Sequence, residues 1–209
     1  MHVQFYYNRK FRYISVYYIA FVFIIINIEK GDENMKIDYR IRSVEDYTPN
    51  IGQLVSMLEH TRAVTLQEIK DLTVEHLDFI LVDGGNSIGA LLKHIAAIEK
   101  VHQLISFQSR DFTNEELKIW EDALFLGEAG RNIYGHNVQY YIQILNKVRE
   151  ESLQYLRGKD DAWLMSEGRW ENGVVYNQYY LWFHVLEDEI SHRGQIRTIK
   201  KYISENLVK

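Results

Sequence analysis

Asp188 and His192 are residue types that bind metal ions, and both lie on the apolar face of a predicted helix. They are four residues apart, and at 100° per residue they share that face with Leu181, Val185 and Ile199. Burial of an unpaired charge on such a face would cost several kcal/mol. We therefore expect these two side chains to have a compensating partner in the folded protein.

His94 shows the same conflict on a second predicted helix. It shares a face with four aliphatic residues, Leu91, Ile98, Val101 and Ile105. One divalent ion bound by His94, Asp188 and His192 would compensate all three side chains and leave positions open for water or substrate. Two imidazoles and a carboxylate suit Zn, Fe(II), Ni or Mn better than Ca or Mg. The alternative is a hydrogen-bonded core histidine and a simple Asp–His pair on one helix.

Two segments around these residues carry recognisable motifs. Residues 187–196 read EDEISHRGQI, and residues 86–99 read NSIGALLKHIAAIE. The first resembles the signature of the DinB/YfiT-like family, in which a His-x-x-x-His pair runs into Arg-Gly-Gln. The second resembles that family's second-helix motif, a His followed five residues later by Glu. The resemblance, over about residues 45 to 205, implies an up-down-down-up four-helix bundle, often a homodimer, that holds a divalent ion with three His.

Position 188 departs from the family pattern. Carried over by position, the three ligands are His94, residue 188 and His192, and residue 188 is Asp in this chain. The change adds one negative charge, which alters the affinity, the preferred ion and the Lewis acidity of the site. We expect His184, one turn earlier, to contact one of the three ligands without binding the ion itself, or to act as a substitute ligand.

The resemblance also implies a chemistry. Characterised relatives use the metal to activate a low-molecular-weight thiol, such as bacillithiol or mycothiol, and some relatives are assigned hydrolase activity. We therefore predict a transferase that joins such a thiol to a small electrophile. The alternatives are a non-catalytic metal- or ligand-binding stress-response protein and a metal-dependent hydrolase. Because the chain has no Cys, the thiol would be a co-substrate.

Four further residues have predicted roles outside the ligand set. Arg62 lies on the apolar stripe of the first predicted helix, where we expect a snorkelling side chain or an anion contact at the mouth of a pocket. Glu99 and Arg193 each lie 140° from the ligand stripe, so we expect Glu99 to pair with a neighbouring helix or a cation and Arg193 to form a structural salt bridge. Gly194 is expected to let another helix approach closely.

Four long amphipathic segments must position these residues. Apolar periodicity and capping residues predict helices over about residues 49–69, from Ser87 through Ile105, from Asn137 to Gly158, and over about 177–204. A capping box at residues 113–116 predicts a short helix through about residue 125. Residues 159–176 are expected to form an ordered loop held by its aromatic side chains. These elements indicate an all-α bundle.

The first 34 residues differ from the rest of the chain. The run Tyr13–Ile26 is uncharged but has only 14 residues, whereas a membrane-spanning helix needs roughly 18 to 20. Residues 29–35, EKGDENM, back-translate to a purine-rich ribosome-binding sequence upstream of an ATG codon. We therefore interpret residues 1–34 as a leader outside the native protein, which would begin at Met35, and residues 35–209 as the DinB-like domain. A membrane or signal segment is the alternative.

Composition limits the partners of the chain. The 209 residues carry a formal net charge of -5, which disfavours nucleic-acid binding through phosphate neutralisation. We expect a small-molecule substrate, a homodimer and a cytoplasmic location. A membrane contact is expected only if residues 1–34 belong to the native protein.

Overall fold

Four long helices make up most of residues 37–206, the part of the chain that the computed structural model describes. They are α1 (Pro49–Ile69), α3 (Ile88–Gln108), α6 (Val138–Arg157) and α8 (Gln178–Asn206). Four shorter helices are α2 (Val74–Asp78), α4 (Asn114–Phe125), α5 (Gly127–Gly130) and α7 (Asp161–Leu164). The mostly helical character predicted from periodicity is confirmed. The predicted leader and the start at Met35 lie outside the described residues.

Side-chain caps fix where three of these helices begin. The Ser87 hydroxyl accepts a hydrogen bond from the Ala90 amide at the start of α3, and the Asn137 side chain caps α6 in the same way. Thr113 and Glu116 form the predicted capping box of α4.

The first long helix is capped from a distant part of the chain. Thr48 occupies the N-cap of α1, but its side chain accepts no hydrogen bond from the helix amides. Instead, Asp161 Oδ1 accepts hydrogen bonds from the amides of Asn50 and Ile51, at 3.1 and 3.2 Å, and from the Thr48 hydroxyl. The carboxylate at the start of α7 thereby satisfies amides that the first turn of α1 leaves free.

Residues 159–176 contain more regular structure than the expected loop. After α7, strands β1 (Glu167–Arg169) and β2 (Val175–Asn177) form an antiparallel hairpin in which Gly168 pairs with Tyr176. A Cβ atom at residue 168 would lie 2.6 Å from Tyr176 Cζ, so the ring needs glycine there. Trp170 also packs on Tyr176, with ring centres 4.3 Å apart.

The apolar core has two parts. One joins the C-terminal end of α1, the N-terminal half of α3, the N-terminal half of α6 and the C-terminal half of α8. The other joins the N-terminal half of α1, the end of α6, α7 and the N-terminal half of α8, around the fully buried Trp182. Within residues 37–206, no helix is both long and apolar enough to cross a membrane.

Each long helix also contributes one buried charged residue. Along each helix, that residue lies between the two parts of the core. The four residues are Arg62, Glu99, Arg149 and Glu189, which we call the buried ion network, and all are at most 4% exposed. Glu99 accepts from Arg62 at 2.9 Å and from Arg149 at 2.7 Å, and Glu189 accepts from the same two guanidiniums at 3.1 and 3.3 Å. Two positive and two negative charges therefore balance, as buried charges must.

Removal of one member of the buried ion network should be costly. We expect Arg149→Met to lower the free energy of unfolding by about 3–5 kcal/mol, because it leaves two buried carboxylates with one guanidinium between them. Arg110→Met is a matched control, since Arg110 pairs with Glu116 in a partly exposed position, where such a pair contributes up to about 1 kcal/mol. Urea denaturation measures both losses, and equal losses would contradict the assigned role.

Acid should destabilise the fold through the same network. Burial alone would raise the pKa of Glu99, but Arg149 and Arg62 outweigh burial and lower this pKa from 4.5 to about 2. The stabilisation is complete above the unfolded-state pKa and is lost as pH falls from there through about 2. Denaturation at a series of pH values should show this loss, with a shallower slope for Glu99→Gln. An unchanged slope would contradict the prediction.

Candidate metal centre

The three residues predicted as metal ligands converge in the structure. Helix α3 supplies His94, and α8 supplies Asp188 and His192 from adjacent turns of one face. Each offers one ligand atom, and these atoms all lie within 4.8 Å of one another. Asp188 Oδ1 is 3.5 Å from His94 Nε2 and 3.3 Å from His192 Nε2. Between 10% and 15% of each side chain is exposed, so the three residues are shielded from solvent but not fully buried.

A hydrogen bond to a backbone carbonyl oxygen of α4 fixes the orientation of the His94 ring. Nδ1 of His94 lies 2.7 Å from the Ala123 carbonyl oxygen. A carbonyl oxygen can only accept, so Nδ1 must carry a proton. Nε2 of the ring faces Asp188, at 3.5 Å from Oδ1. This arrangement is typical of histidines that bind metal, because the outer hydrogen bond fixes the tautomer and the ring.

The Asp188 carboxylate lies between the two imidazoles of the centre. Burial would raise the pKa of Asp188, but hydrogen bonds from His192 and His94 outweigh it and lower this pKa to about 2. Asp188 is therefore ionised at neutral pH, and its Oδ1 faces Nε2 of both rings. A metal ion bound in place of the protons on these nitrogens would contact all three ligand atoms.

Two buried polar atoms at the centre lack partners. Asp188 Oδ2 and His192 Nδ1 have no hydrogen bond to any residue that the structure describes. Unsatisfied buried polar atoms are costly in a folded protein and need an explanation. Two imidazoles and a carboxylate are ligands that fit a divalent transition metal ion, and three protein ligands leave at least one position for an outside molecule.

His184 lies beside this centre without joining it. Its side chain is 40% exposed, and Nδ1 is 3.3 Å from Glu187 Oε2. Its ring contacts that of His102, with 5.3 Å between ring centres. His184 is not among the residues whose ligand atoms converge.

The other residues singled out in the sequence occupy different surroundings. Arg62 donates to Glu99, Glu189 and the Leu145 carbonyl inside the bundle, so its guanidinium is neither a snorkelling group nor at a pocket mouth. Glu99 pairs with neighbouring helices, as predicted.

Two expectations for α8 are wrong. Arg193 donates to the Thr61 carbonyl oxygen at 2.9 Å, rather than pairing with a carboxylate among the described residues. No atom from another helix of residues 37–206 lies within 4 Å of the place where a Cβ of residue 194 would lie. No close helix approach therefore requires glycine there.

Sequence reasoning did not find Arg149, Glu189 or His102 as residues of interest. Arg149 follows Tyr141 and Leu145 at intervals of four residues, so its place on the apolar stripe could have indicated a buried charge. His102 is eight residues after His94 and hence near the same face. Glu189 lies 100° from Asp188, where a helix pattern predicts the edge of the buried face.

A groove of about 750 Å³ lies between α1 and α8, and its lining includes Met57, Phe183, Leu186, Ile190 and Ser191. None of the three converging residues lines it. The candidate metal centre is therefore separate from this mostly apolar groove.

Comparison with known proteins assigns the family. A family model described as Mycothiol-S-transferase matches residues 53–204 and so includes all three converging ligands. The chain belongs to this family. A search of curated proteins finds no match for this mycothiol S-transferase family member.

Solved structures support a DinB-like fold. A conserved protein from Enterococcus faecalis is 14% identical, with a TM-score of 0.59 over 73% of this chain and 96% of that chain. A DinB-like protein from Bacillus cereus is also 14% identical, with a TM-score of 0.57 over 79% of this chain and 95% of that chain. At this identity the likeness concerns the fold of the mycothiol S-transferase family member and not its substrate.

The three converging ligands should act as one metal site. We expect tag-free protein incubated with Zn²⁺ and dialysed to retain the ion, and His192→Ala to lose it, because two ligands cannot replace three. Elemental mass spectrometry measures the retained metal. His136→Ala is a matched control, since His136 stacks on Tyr140 instead. Full retention by His192→Ala would contradict the site.

Proposed function

We propose that this chain is a metal-dependent transferase that joins a low-molecular-weight thiol to a small electrophile. The observation that carries the proposal is the convergence of His94, Asp188 and His192, whose ligand atoms all lie within 4.8 Å of one another. The match to the mycothiol S-transferase family supports a thiol as the second substrate. A bound divalent ion would lower the pKa of a thiol held beside it, which favours the nucleophilic thiolate at neutral pH.

The chain's own residues hold the ligands in place for this chemistry. The Ala123 carbonyl holds the His94 ring so that Nε2 points toward Asp188. The spacing of Asp188 and His192 on α8 brings both ligand atoms to the same side of that helix. Pre-arranged ligands of this kind reduce the reorganisation needed when substrate binds.

The thiol must be supplied as a small molecule. The chain has no Cys, and the centre is open enough for a sulfur atom to reach it, with 15% of the His192 side chain exposed. The thiol contributes the new sulfur–carbon bond and loses its proton to solvent or buffer. With an alkyl halide, the carbon–halogen bond breaks and the halide leaves with its electron pair. With a maleate, the π bond of the alkene breaks and its electron pair takes up a proton at the adjacent carbon.

We also infer that the four long helices run up-down-down-up. Contact pairs along the helices support this order. Thr61 meets Arg193 and Glu68 meets Lys200, so α1 and α8 run parallel. Glu99 meets Arg149 and Gln103 meets Ser152, so α3 and α6 run parallel to each other. Tyr47 meets Leu153 and Arg62 meets Leu145, which makes α6 antiparallel to α1.

Turnover should require the metal and the thiol together. We expect metal-loaded protein to consume a small electrophile, such as a maleate or an alkyl halide, when mycothiol or bacillithiol is present. Removal of either the metal or the thiol should stop the reaction, and mass spectrometry of the thioether product measures it. Metal-independent turnover, or binding of the thiol without turnover across a broad electrophile panel, would overturn the proposal.

Two variants sharpen the test. His192→Ala should lose turnover because it removes a ligand, while His136→Ala should keep it. Asp188→His restores the three-histidine set implied by the DinB/YfiT-like resemblance and should retain metal. If Asp188→His loses both metal and turnover, position 188 does not serve as a ligand in the proposed way.

A further inference from the structure

We propose that His102 and His184 form a second, weaker binding site for a divalent transition metal ion, separate from the centre at His94, Asp188 and His192. The two rings face each other across α3 and α8, with centres 5.3 Å apart and planes tilted by 52°. This site does not depend on the transferase activity proposed above.

The second pair of histidines repeats the first pair one step along the same two helices. His102 follows His94 by eight residues on α3, and His184 precedes His192 by eight residues on α8. Since α-helices rise 1.5 Å per residue, the two pairs are about 12 Å apart along the helices. That distance is too great for both pairs to hold one ion, because metal–nitrogen distances are about 2.0–2.1 Å.

Both rings of the second pair keep one nitrogen free for a metal. Nδ1 of His102 is 2.7 Å from the Ile98 carbonyl oxygen, so it must donate and the neutral ring has its lone pair on Nε2. Nδ1 of His184 is 3.3 Å from the Glu187 carboxylate, which likewise favours a proton on Nδ1. The same outer oxygen contact orients His94 in the first centre, and it is the usual support of a metal-binding histidine.

The ring separation also suits one shared ion. Two imidazoles that bind a tetrahedral ion through Nε2 at about 2.0–2.1 Å have ring centres about 5 Å apart. The His94 and His192 rings are 4.7 Å apart, and the His102 and His184 rings are 5.3 Å apart.

The local charge favours a cation in this position. The Glu187 carboxylate lies against His184, with Oε2 3.3 Å from Nδ1. The ion can enter from solvent past His184, whose side chain is 40% exposed.

The pair supplies two protein ligands, and this number sets the expected strength and selectivity. Water would complete the coordination, so the second ion should bind more weakly than one held by three ligands. Imidazole nitrogen selects Zn²⁺, Ni²⁺ or Cu²⁺ over Mg²⁺ and Ca²⁺.

Calorimetric titration of metal-free, tag-free protein with Zn²⁺ alone tests the second site. We expect two equivalents, the second at least about tenfold weaker than the first. His184→Ala should lose the weaker equivalent and keep the tighter one, and the side chain's exposure makes this variant tolerable to the fold. His102→Gln should have the same effect, and His136→Ala should keep both equivalents.

The variants separate this proposal from the first metal centre. His192→Ala should lose the tighter equivalent and keep the weaker one, so failure of either site is visible without the other. Saturation of the unaltered protein at one equivalent would overturn the second site. So would retention of the weaker equivalent in both His184→Ala and His102→Gln, with circular dichroism confirming that the variants are folded.

Discussion

The buried ion network is the interaction on which the rest of the structure depends. Each long helix contributes one charged residue, and each carboxylate contacts both guanidiniums. Remaining donors are also used, since Arg62 donates to the Leu145 carbonyl and Arg149 to the Leu58 carbonyl. Burial of four charges is tolerable only when all these bonds form together. The network therefore favours one arrangement of the four helices over those in which any helix is displaced by a turn.

This constraint reaches the candidate metal centre directly. Glu189 belongs to the network, and its neighbour in the chain, Asp188, belongs to the centre. A shift of α8 by one turn, about 5.4 Å, would separate Glu189 from both guanidiniums and Asp188 from His94. The cost of unpairing Glu189 thus also holds the ligands on α8 opposite the ligand on α3. The two clusters differ in one respect: the network has a partner for every charge, whereas at the centre Asp188 Oδ2 and His192 Nδ1 have no hydrogen-bond partner among residues 37–206.

Periodicity was sufficient to predict the three converging residues but not the network. His94, Asp188 and His192 each interrupt an apolar stripe, and that conflict is visible in one helix at a time. The network is a property of four helices together. Glu189 lies beside the stripe, and Arg62 on its own stripe is compatible with several surroundings, so the sequence could not indicate which partners they meet. The long helices followed from apolar spacing and caps, but the three-residue strands of the hairpin are too short to show alternation.

Asp188 has a physical consequence that a third imidazole would not have. If Asp188 binds a divalent ion as proposed, its carboxylate would leave the centre with a net charge of about +1 in place of +2, which would weaken the pull of the ion on the electrons of a bound thiol. The same carboxylate brings a second oxygen, Oδ2, which is buried and has no hydrogen-bond partner among residues 37–206. That oxygen could accept a hydrogen bond from a substrate or bind the ion together with Oδ1. In the proposed site, Asp in place of His would therefore exchange some Lewis acidity for an additional acceptor beside the ion, and the preferred substrate should carry a hydrogen-bond donor that uses it.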